Sequence, residues 1–215
     1  MRMAPCGLGL PASASTMLLR LVLLLAVAAP VLRATSVVAP TFPELVAEAE
    51  TIFRGRVTAV TARRVERPDA PGALIKTYVT FAVERVLKGR AGPTLTLEFL
   101  GGTVGEDRLE VSGMPVFGRG GHDLVFVQKN GVQFCPLVAM GHGRYRVERD
   151  ATGTRDIIAR DNGAPLTDPG EIALPLTAVP APLRAAAATR ALSVDAFETH
   201  IVAALDKLGL KPVQD

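Results

Sequence analysis

Cysteine is nearly absent from this chain of 215 residues, which contains only Cys6 and Cys135. Cys6 precedes a long apolar segment, so it cannot be the lipidated cysteine that follows a lipoprotein signal. If Cys6 is removed with that segment, Cys135 has no partner within the chain, which excludes a disulfide framework. Cys135 lies in the apolar sequence FCPLV, so we expect a buried, unreactive thiol; the alternative is a thiol that pairs with another chain.

The motifs of common hydrolases and nucleotide-binding proteins are also missing. No HExxH sequence occurs, which excludes the zinc protease arrangement of two histidines one helical turn apart. Ser36, Ser112 and Ser193 lack the GxSxG context of a serine hydrolase. The glycines of residues 101–105 match neither a phosphate-binding loop nor a dinucleotide fingerprint, and they are more typical of a turn at the corner of a sheet.

An excess of charge is lacking once the N-terminal segment is set aside. The whole chain has 24 basic and 21 acidic residues. Arg2, Arg20 and Arg33 lie in residues 1–34, which contain no acidic residue, so residues 35–215 carry equal numbers of both signs. This balance gives no electrostatic reason to expect nucleic acid or an anionic membrane surface as a partner.

The N-terminal segment that carries this charge has the pattern of an export signal. Arg20 supplies a positive charge before the apolar run of residues 21–32, and small residues lead to Ala34. The run is shorter than the ~20 residues of a membrane-spanning helix. We expect residues 1–34 to be removed after Ala34 and translation to begin at Met17, with an uncleaved anchor as the alternative. The protein is then periplasmic or extracellular.

Residues 35–164 have the alternation of an all-β domain. Apolar and polar side chains alternate in residues 52–60, 79–88 and 94–99, which predicts three strands with one exposed face each. Residues 124–127, LVFV, are apolar on both faces and favour a central strand.

Further strands are joined by turns rich in glycine. Asn130-Gly131 predicts a hairpin into VQFCPLV, and a short strand is expected near residues 109–111. The sequence DATG predicts a second hairpin between residues 143–150 and 155–160. Six to eight short strands of this kind indicate a closed or nearly closed antiparallel barrel or sandwich.

The C-terminal part of the chain differs in composition. Residues 165–192 are rich in proline and alanine and are expected to form an extended connector with an early helical turn. Residues 193–209 predict an amphipathic helix that Ser193 caps. We expect its apolar stripe to pack on the barrel of the same chain, with a partner-binding helix as the alternative. The stripe consists of Val194, Phe197, Ile201, Leu205 and Leu208.

Four residues are the candidates for chemistry. His122, Asp123 and His142 would supply two imidazoles and a carboxylate to a metal ion if their loops meet. Cys135 with His142, seven residues further on, would form the nucleophile and base of a cysteine hydrolase. Against these readings, histidines beside glycine are usual on loop surfaces, and no helix N-terminus lies near Cys135 to lower its pKa.

The order of elements resembles a known family. The segments FRGRVTAV, TYVTFAVERVLKG, TLTLEFLGG and HDLVFVQKNG, within residues 43–160, resemble the netrin-like or tissue-inhibitor-of-metalloproteinase-like fold of secreted bacterial proteins of unknown function. FCPLVAMGHGRYRV also resembles a segment of those proteins. The resemblance implies a small antiparallel OB-like barrel. It does not imply protease inhibition, because the expected start near Thr35 lacks the cysteine with which the inhibitors bind zinc.

Taken together, these features predict a mostly β protein with an OB-like barrel, glycine-rich turns and a C-terminal amphipathic helix. We expect an exported, non-catalytic binding or interaction module whose partner is an unknown protein or another component of the cell envelope. We expect no cofactor, no nucleic acid and no membrane span after residue 34. The alternative is a metal-binding protein or hydrolase that uses His122, Asp123, Cys135 and His142.

Overall fold

The structure is a computed structural model that describes residues 38–66, 72–150 and 152–211. The export signal predicted in residues 1–34, with its start at Met17 and its cleavage after Ala34, lies outside the described residues. Cys6 lies outside them as well.

The described chain is mostly β, as predicted. Six strands form one antiparallel sheet in the order β3-β2-β1-β6-β7-β8, and two short strands form a separate hairpin in place of the strand expected at residues 109–111. The strands are β1 (Thr51–Glu66), β2 (Ala73–Lys88), β3 (Thr94–Leu100), β4 (Gly102–Val104), β5 (Asp107–Leu109), β6 (His122–Val127), β7 (Arg144–Arg149) and β8 (Asp156–Arg160).

Short helices flank the sheet. Within the described ranges, no helix is long and apolar enough to cross a membrane. The α-helices are α1 (Phe42–Glu48), α2 (Ala181–Ala188) and α3 (Val194–Lys207), and two single-turn 3₁₀ helices cover Met140–Gly143 and Pro169–Ala173.

The long hairpin of β1 and β2 is the spine of the sheet. Its register is interrupted between Arg54 and Gly55, where the two backbones approach closely. A Cβ atom at Gly55 would lie 2.5 Å from the carbonyl oxygen of Ala82, so only glycine fits there. The register also shifts between Val57 and Ala59, so the hairpin follows a curved path rather than a flat one.

The sheet separates two apolar clusters, which explains why β6 is apolar on both faces. Leu124 and Phe126 pack towards the helices, whereas Val125 and Val127 pack towards the concave side of the sheet. We call these the helix cluster and the concave cluster. The concave cluster also contains aromatic residues, among them Phe81, Phe99 and Phe117.

The predicted barrel does not close within the described residues, because the edge strands β3 and β8 do not pair with each other. A loop occupies the free edge of β3 instead. The side chain of Asn130 donates to the carbonyl oxygen of Thr96 at 2.9 Å and accepts from the amide of Glu98 at 3.0 Å. The amide of Leu100 donates to the carbonyl oxygen of Phe134 at 2.8 Å.

The turn predicted at Asn130-Gly131 forms, since the amide of Val132 donates to the carbonyl oxygen of Lys129 at 3.0 Å, but the tight hairpin predicted there is wrong. Residues 128–138 form a loop with one isolated bridge, between Val127 and Leu137. Asn130 binds the edge of β3, and the chain returns to β6 only near Leu137, where the amide of Val138 donates to the carbonyl oxygen of Phe126 at 3.0 Å. Pro136 has no N–H to donate to a longer ladder.

The C-terminal helix α3 docks on the sheet of its own chain, as predicted. Ser193 caps it by accepting a hydrogen bond from the amide of Ala196. Phe197 is fully buried, with ring centroids 4.9 Å from Tyr145 and 5.9 Å from Phe42. Leu208 was expected on the buried stripe but follows the last helical turn and is 41% exposed.

The segment expected to be an extended connector contains more structure than predicted. It includes the 3₁₀ turn at Pro169–Ala173 and helix α2, which has no buried residue. Leu166 and Ile172 are fully buried in the helix cluster. The segment is therefore part of the core as well as a link to α3.

Candidate functional site

The structure gives each candidate metal ligand a separate partner. His122 Nε2 lies 2.8 Å from Glu84 Oε2, and His142 Nδ1 lies 3.1 Å from the carbonyl oxygen of Ile172. Asp123 Oδ1 accepts from the guanidinium of Arg144 at 2.8 Å. Across the described ranges, no three His, Cys, Asp or Glu side chains are grouped as metal ligands.

Cys135 is buried in the concave cluster, with 3% of its surface exposed. Burial raises the pKa of its thiol to about 11, although its interaction with the backbone of Leu137 opposes the shift. A thiol with this pKa is protonated at neutral pH, whereas a nucleophilic cysteine needs its thiolate. The geometry therefore gives Cys135 a packing role.

Asp123 and Arg144 are the centre of a buried charge cluster instead. Arg144 binds Asp123 through Nε and Asp161 Oδ1 through Nη1, at 2.8 and 3.0 Å. Its Nη1 also donates to the carbonyl oxygen of Val116, and its Cζ lies 4.0 Å from the ring centroid of Phe117. Arg144 thus fixes the loop that precedes β6 against the sheet.

The second carboxylate oxygen of Asp123 is buried and has no hydrogen-bond partner. Burial raises the pKa of Asp123, and the attraction and hydrogen bond of Arg144 act in the opposite direction. Asp123 also lines a cleft of about 350 Å³ with Arg56, His122 and Arg146. This cleft is small, and Arg56, His122 and Arg146 each lie beside a carboxylate of Glu84 or Glu148.

A cleft of about 930 Å³ opens between the curved hairpin and residues 101–117. We call it the apolar cleft. Three buried residues, Val79, Phe99 and Phe117, belong to the concave cluster and also line the cleft. Its other apolar walls include Val60, Met114 and Val116.

The β4–β5 hairpin forms one wall of the apolar cleft. Gly102 lies so close to β2 that a Cβ atom there would be 2.4 Å from Thr77 Oγ1, and its φ of +131° also favours glycine. Arg64 on β1 donates from Nε to Asp107 Oδ2 at 3.0 Å, which ties the hairpin to the sheet. The glycines of GGTVG thus make the turn that the sequence favoured.

A third cleft, about 590 Å³, adjoins the apolar cleft and is lined mainly by charged and small residues. Its lining contains three arginines, Arg119, Arg144 and Arg146. Within the described residues, Asp161 is the only acidic residue that lines it. We call it the arginine cleft. Met114 and Val116 line both clefts, so the two clefts are neighbours that share part of their walls.

Sequence reasoning did not single out these residues. The arginines of FGRGG and GRYRV were present, but they come from a loop and from β7, and only the folded sheet brings them together. Alternation in GRYRV gave a partial signal, because it placed Tyr145 on the buried face and Arg146 on the opposite one. Arg144 departs from this pattern, since it is buried beside Asp123.

Comparison of the chain with models of protein families, with curated proteins and with solved structures gives no match. The function is therefore inferred from the apolar cleft, the arginine cleft and the residues that line them.

Proposed function

We propose that this protein is an exported, non-catalytic binding module, and that the apolar cleft is its binding site. The observation that carries the proposal is the apolar cleft itself, about 930 Å³ in volume and lined by aromatic and aliphatic side chains. Ligand sites are typically mostly apolar clefts of about 300–1,000 Å³ with a few polar groups. We also propose that the chain is related to netrin-like proteins, as the resemblance of its strand segments implies.

Exposed apolar side chains at the rim of the apolar cleft support the proposal that it binds a ligand. Val116 is 83% exposed and Val60 is 39% exposed, and both line the cleft. Exposed apolar residues gathered around a concavity mark an interaction site more often than isolated ones do.

The polar groups of the cleft suit ligand orientation rather than bond cleavage. They are the hydroxyl groups of Thr77, Thr103 and Ser112 and the ion pair of Arg108 with Glu110. Within the described residues, the lining contains neither histidine nor cysteine. Glu110 pairs with Arg108, and among the described residues no hydroxyl of the lining is hydrogen-bonded to a base that would activate it as a nucleophile.

Fluorescence titration with N-phenylnaphthylamine, a neutral apolar probe, tests the proposal. We expect saturable binding to the native protein. Val60→Trp places a large ring in the cleft and should weaken binding by about tenfold or more. Val132→Trp is the matched control, because Val132 is 83% exposed and lines neither cleft.

Equal binding by the Val60→Trp and Val132→Trp proteins, with both proteins folded by circular dichroism, would place the probe elsewhere and contradict the proposal. Absence of saturable binding by the native protein would contradict it as well.

A further inference from the structure

The apolar cleft and the arginine cleft together have the character of a site for an amphiphile. We propose that the ligand is an amphiphilic anion, in which a hydrocarbon chain lies in the apolar cleft and a carboxylate or phosphate head lies in the arginine cleft. This inference rests on the proposed function, because it names the class of ligand for the same site.

The first argument is that the two clefts share part of their walls. Met114 and Val116 line both clefts. Phe117 lines the apolar cleft, while the guanidinium of Arg144, on the wall of the arginine cleft, stacks 4.0 Å from its ring centroid. A molecule with an apolar part and a charged part can therefore contact both surfaces without crossing open solvent.

The second argument is the charge that remains after internal pairing. Arg144 is offset by Asp123 and Asp161, so this buried cluster has no surplus of positive charge. Arg119 is exposed and forms no ion pair within the described part of the chain. Arg119 therefore supplies the surplus positive charge of the arginine cleft, and Arg146 adds positive charge to its wall because its partner Glu148 does not line the cleft.

Arg146 is available to a ligand because its own partner is weak. It binds Glu148 at 3.1 Å, but both side chains are about two-fifths exposed, 39% and 40%. Exposed pairs of this kind contribute little and exchange readily for a better acceptor. A planar guanidinium also binds carboxylate and phosphate oxygens in a bidentate manner.

A second guanidinium converges on Arg146 beside the cleft. A Cβ atom at Gly163 would lie 3.2 Å from Arg184 Nη1 and 3.7 Å from Arg146 Nη1. Arg184 forms no ion pair in the described ranges. Two like charges that approach one point repel each other, and an anion between them would relieve the repulsion.

The test compares ligands that share one hydrocarbon chain and differ in the head group. Calorimetric titrations use decanoate, decanol and decyltrimethylammonium below their aggregation limits. We expect decanoate to bind about tenfold more tightly than decanol, and the cationic amphiphile to bind most weakly. Added salt should weaken the binding of decanoate and leave that of decanol nearly unchanged.

Variants locate the head group. Arg119→Gln with Arg146→Gln should reduce decanoate affinity to that of decanol and leave decanol affinity unchanged. Arg90→Gln with Arg190→Gln removes the same charge from exposed positions outside the clefts and is the matched control. Arg119→Gln alone is the second variant, because this exposed side chain forms no ion pair with the residues that the structure describes, so its replacement should leave the fold intact.

Each outcome decides between the two claims. Equal affinities for decanoate and decanol, both abolished by Val60→Trp, would overturn the anionic head and leave the proposed function intact. Equal losses of decanoate affinity in the cleft variants and in the control would likewise overturn it. Failure of all three amphiphiles and of the neutral probe to bind would overturn the proposed function itself.

Discussion

Asp123 and Arg144 hold together parts of the chain that are distant in sequence. Arg144 on β7 binds Asp123 on β6, Asp161 after β8 and the carbonyl oxygen of Val116 before β6. Through the ring of Phe117 it also contacts a wall of the apolar cleft. One guanidinium thus sets the spacing between the arginine cleft and the apolar cleft.

Arg144→Met is expected to lower the free energy of unfolding by about 3 kcal/mol or more, because it leaves the buried Asp123 without its charged partner. Arg146→Met, at an exposed ion pair, should cost about 1 kcal/mol or less. Urea denaturation measures both. Equal costs for the two variants would contradict the role given to Arg144.

The stability of the fold should depend on pH through His142. Burial lowers the pKa of His142, although its hydrogen bond to the carbonyl oxygen of Ile172 opposes the shift. The unfolded chain therefore binds this proton at a higher pH than the folded chain. Stability is complete above about pH 6.5 and declines as the pH falls towards the lower pKa of the folded state.

Thermal unfolding between about pH 7.5 and about pH 5.5 measures this decline. His142→Gln should reduce the slope, and His122, whose pKa burial also lowers, accounts for part of the slope that remains. His200→Gln, at an exposed position on α3, is the control. A slope that His142→Gln leaves unchanged would refute the assignment.

Among the elements, α3 packs on the sheet through two kinds of contact. Phe197 lies fully buried against Phe126 and Tyr145, and Glu198 pairs with Arg54 and Arg85 on the outer face of the hairpin. The helix therefore contributes an apolar contact and an ionic contact to the same docking surface.

Phe197→Ala is expected to lower the free energy of unfolding by about 3–5 kcal/mol, the usual cost of emptying a buried aromatic site. Leu208→Ala, at the exposed end of the helix, should cost about 0.5 kcal/mol or less. Urea denaturation of a monomer checks both values. An unchanged stability after Phe197→Ala would mean that α3 does not belong to the folding unit.

The elements also mark where the sequence was sufficient and where it was not. Alternation predicted β1, β2 and β3 because each has one apolar face, and two apolar faces predicted β6 as a central strand. The tight hairpin expected at Asn130-Gly131 does not form, because the side chain of Asn130 instead hydrogen-bonds the otherwise unpaired edge of β3. The backbone groups of that edge are distant in sequence, so local reasoning does not detect them.

At the scale of the whole molecule, the candidate site could be predicted only in part. Burial of Cys135 was readable from its apolar neighbours, although one of them, Phe134, is 52% exposed. The clefts depend on separate segments that meet around Arg144. The histidines drew attention because of their chemistry, yet their partners are a carboxylate and a carbonyl group of other elements. These contacts depend on which elements lie next to each other in the fold, and the composition of the chain does not show this.

We propose that the protein is exported and that its N-terminal segment, residues 1–34, is the signal for export. The predicted cleavage after Ala34 leaves a mature chain that begins at Thr35 and has balanced charge. N-terminal sequencing of protein recovered outside the cytoplasm should read Thr35-Ser36-Val37. Recovery of residues 17–34 on membrane-associated protein would instead identify an uncleaved anchor.

The most direct test of the central claim, that the apolar cleft binds a ligand, uses a single fluorescent residue. The chain has no tryptophan, so Val116→Trp introduces one reporter at the rim shared by the two clefts. The account predicts a saturable blue shift of its emission on titration with decanoate, and no shift for Val132→Trp. No shift in either protein, or the same shift in both, would contradict the account.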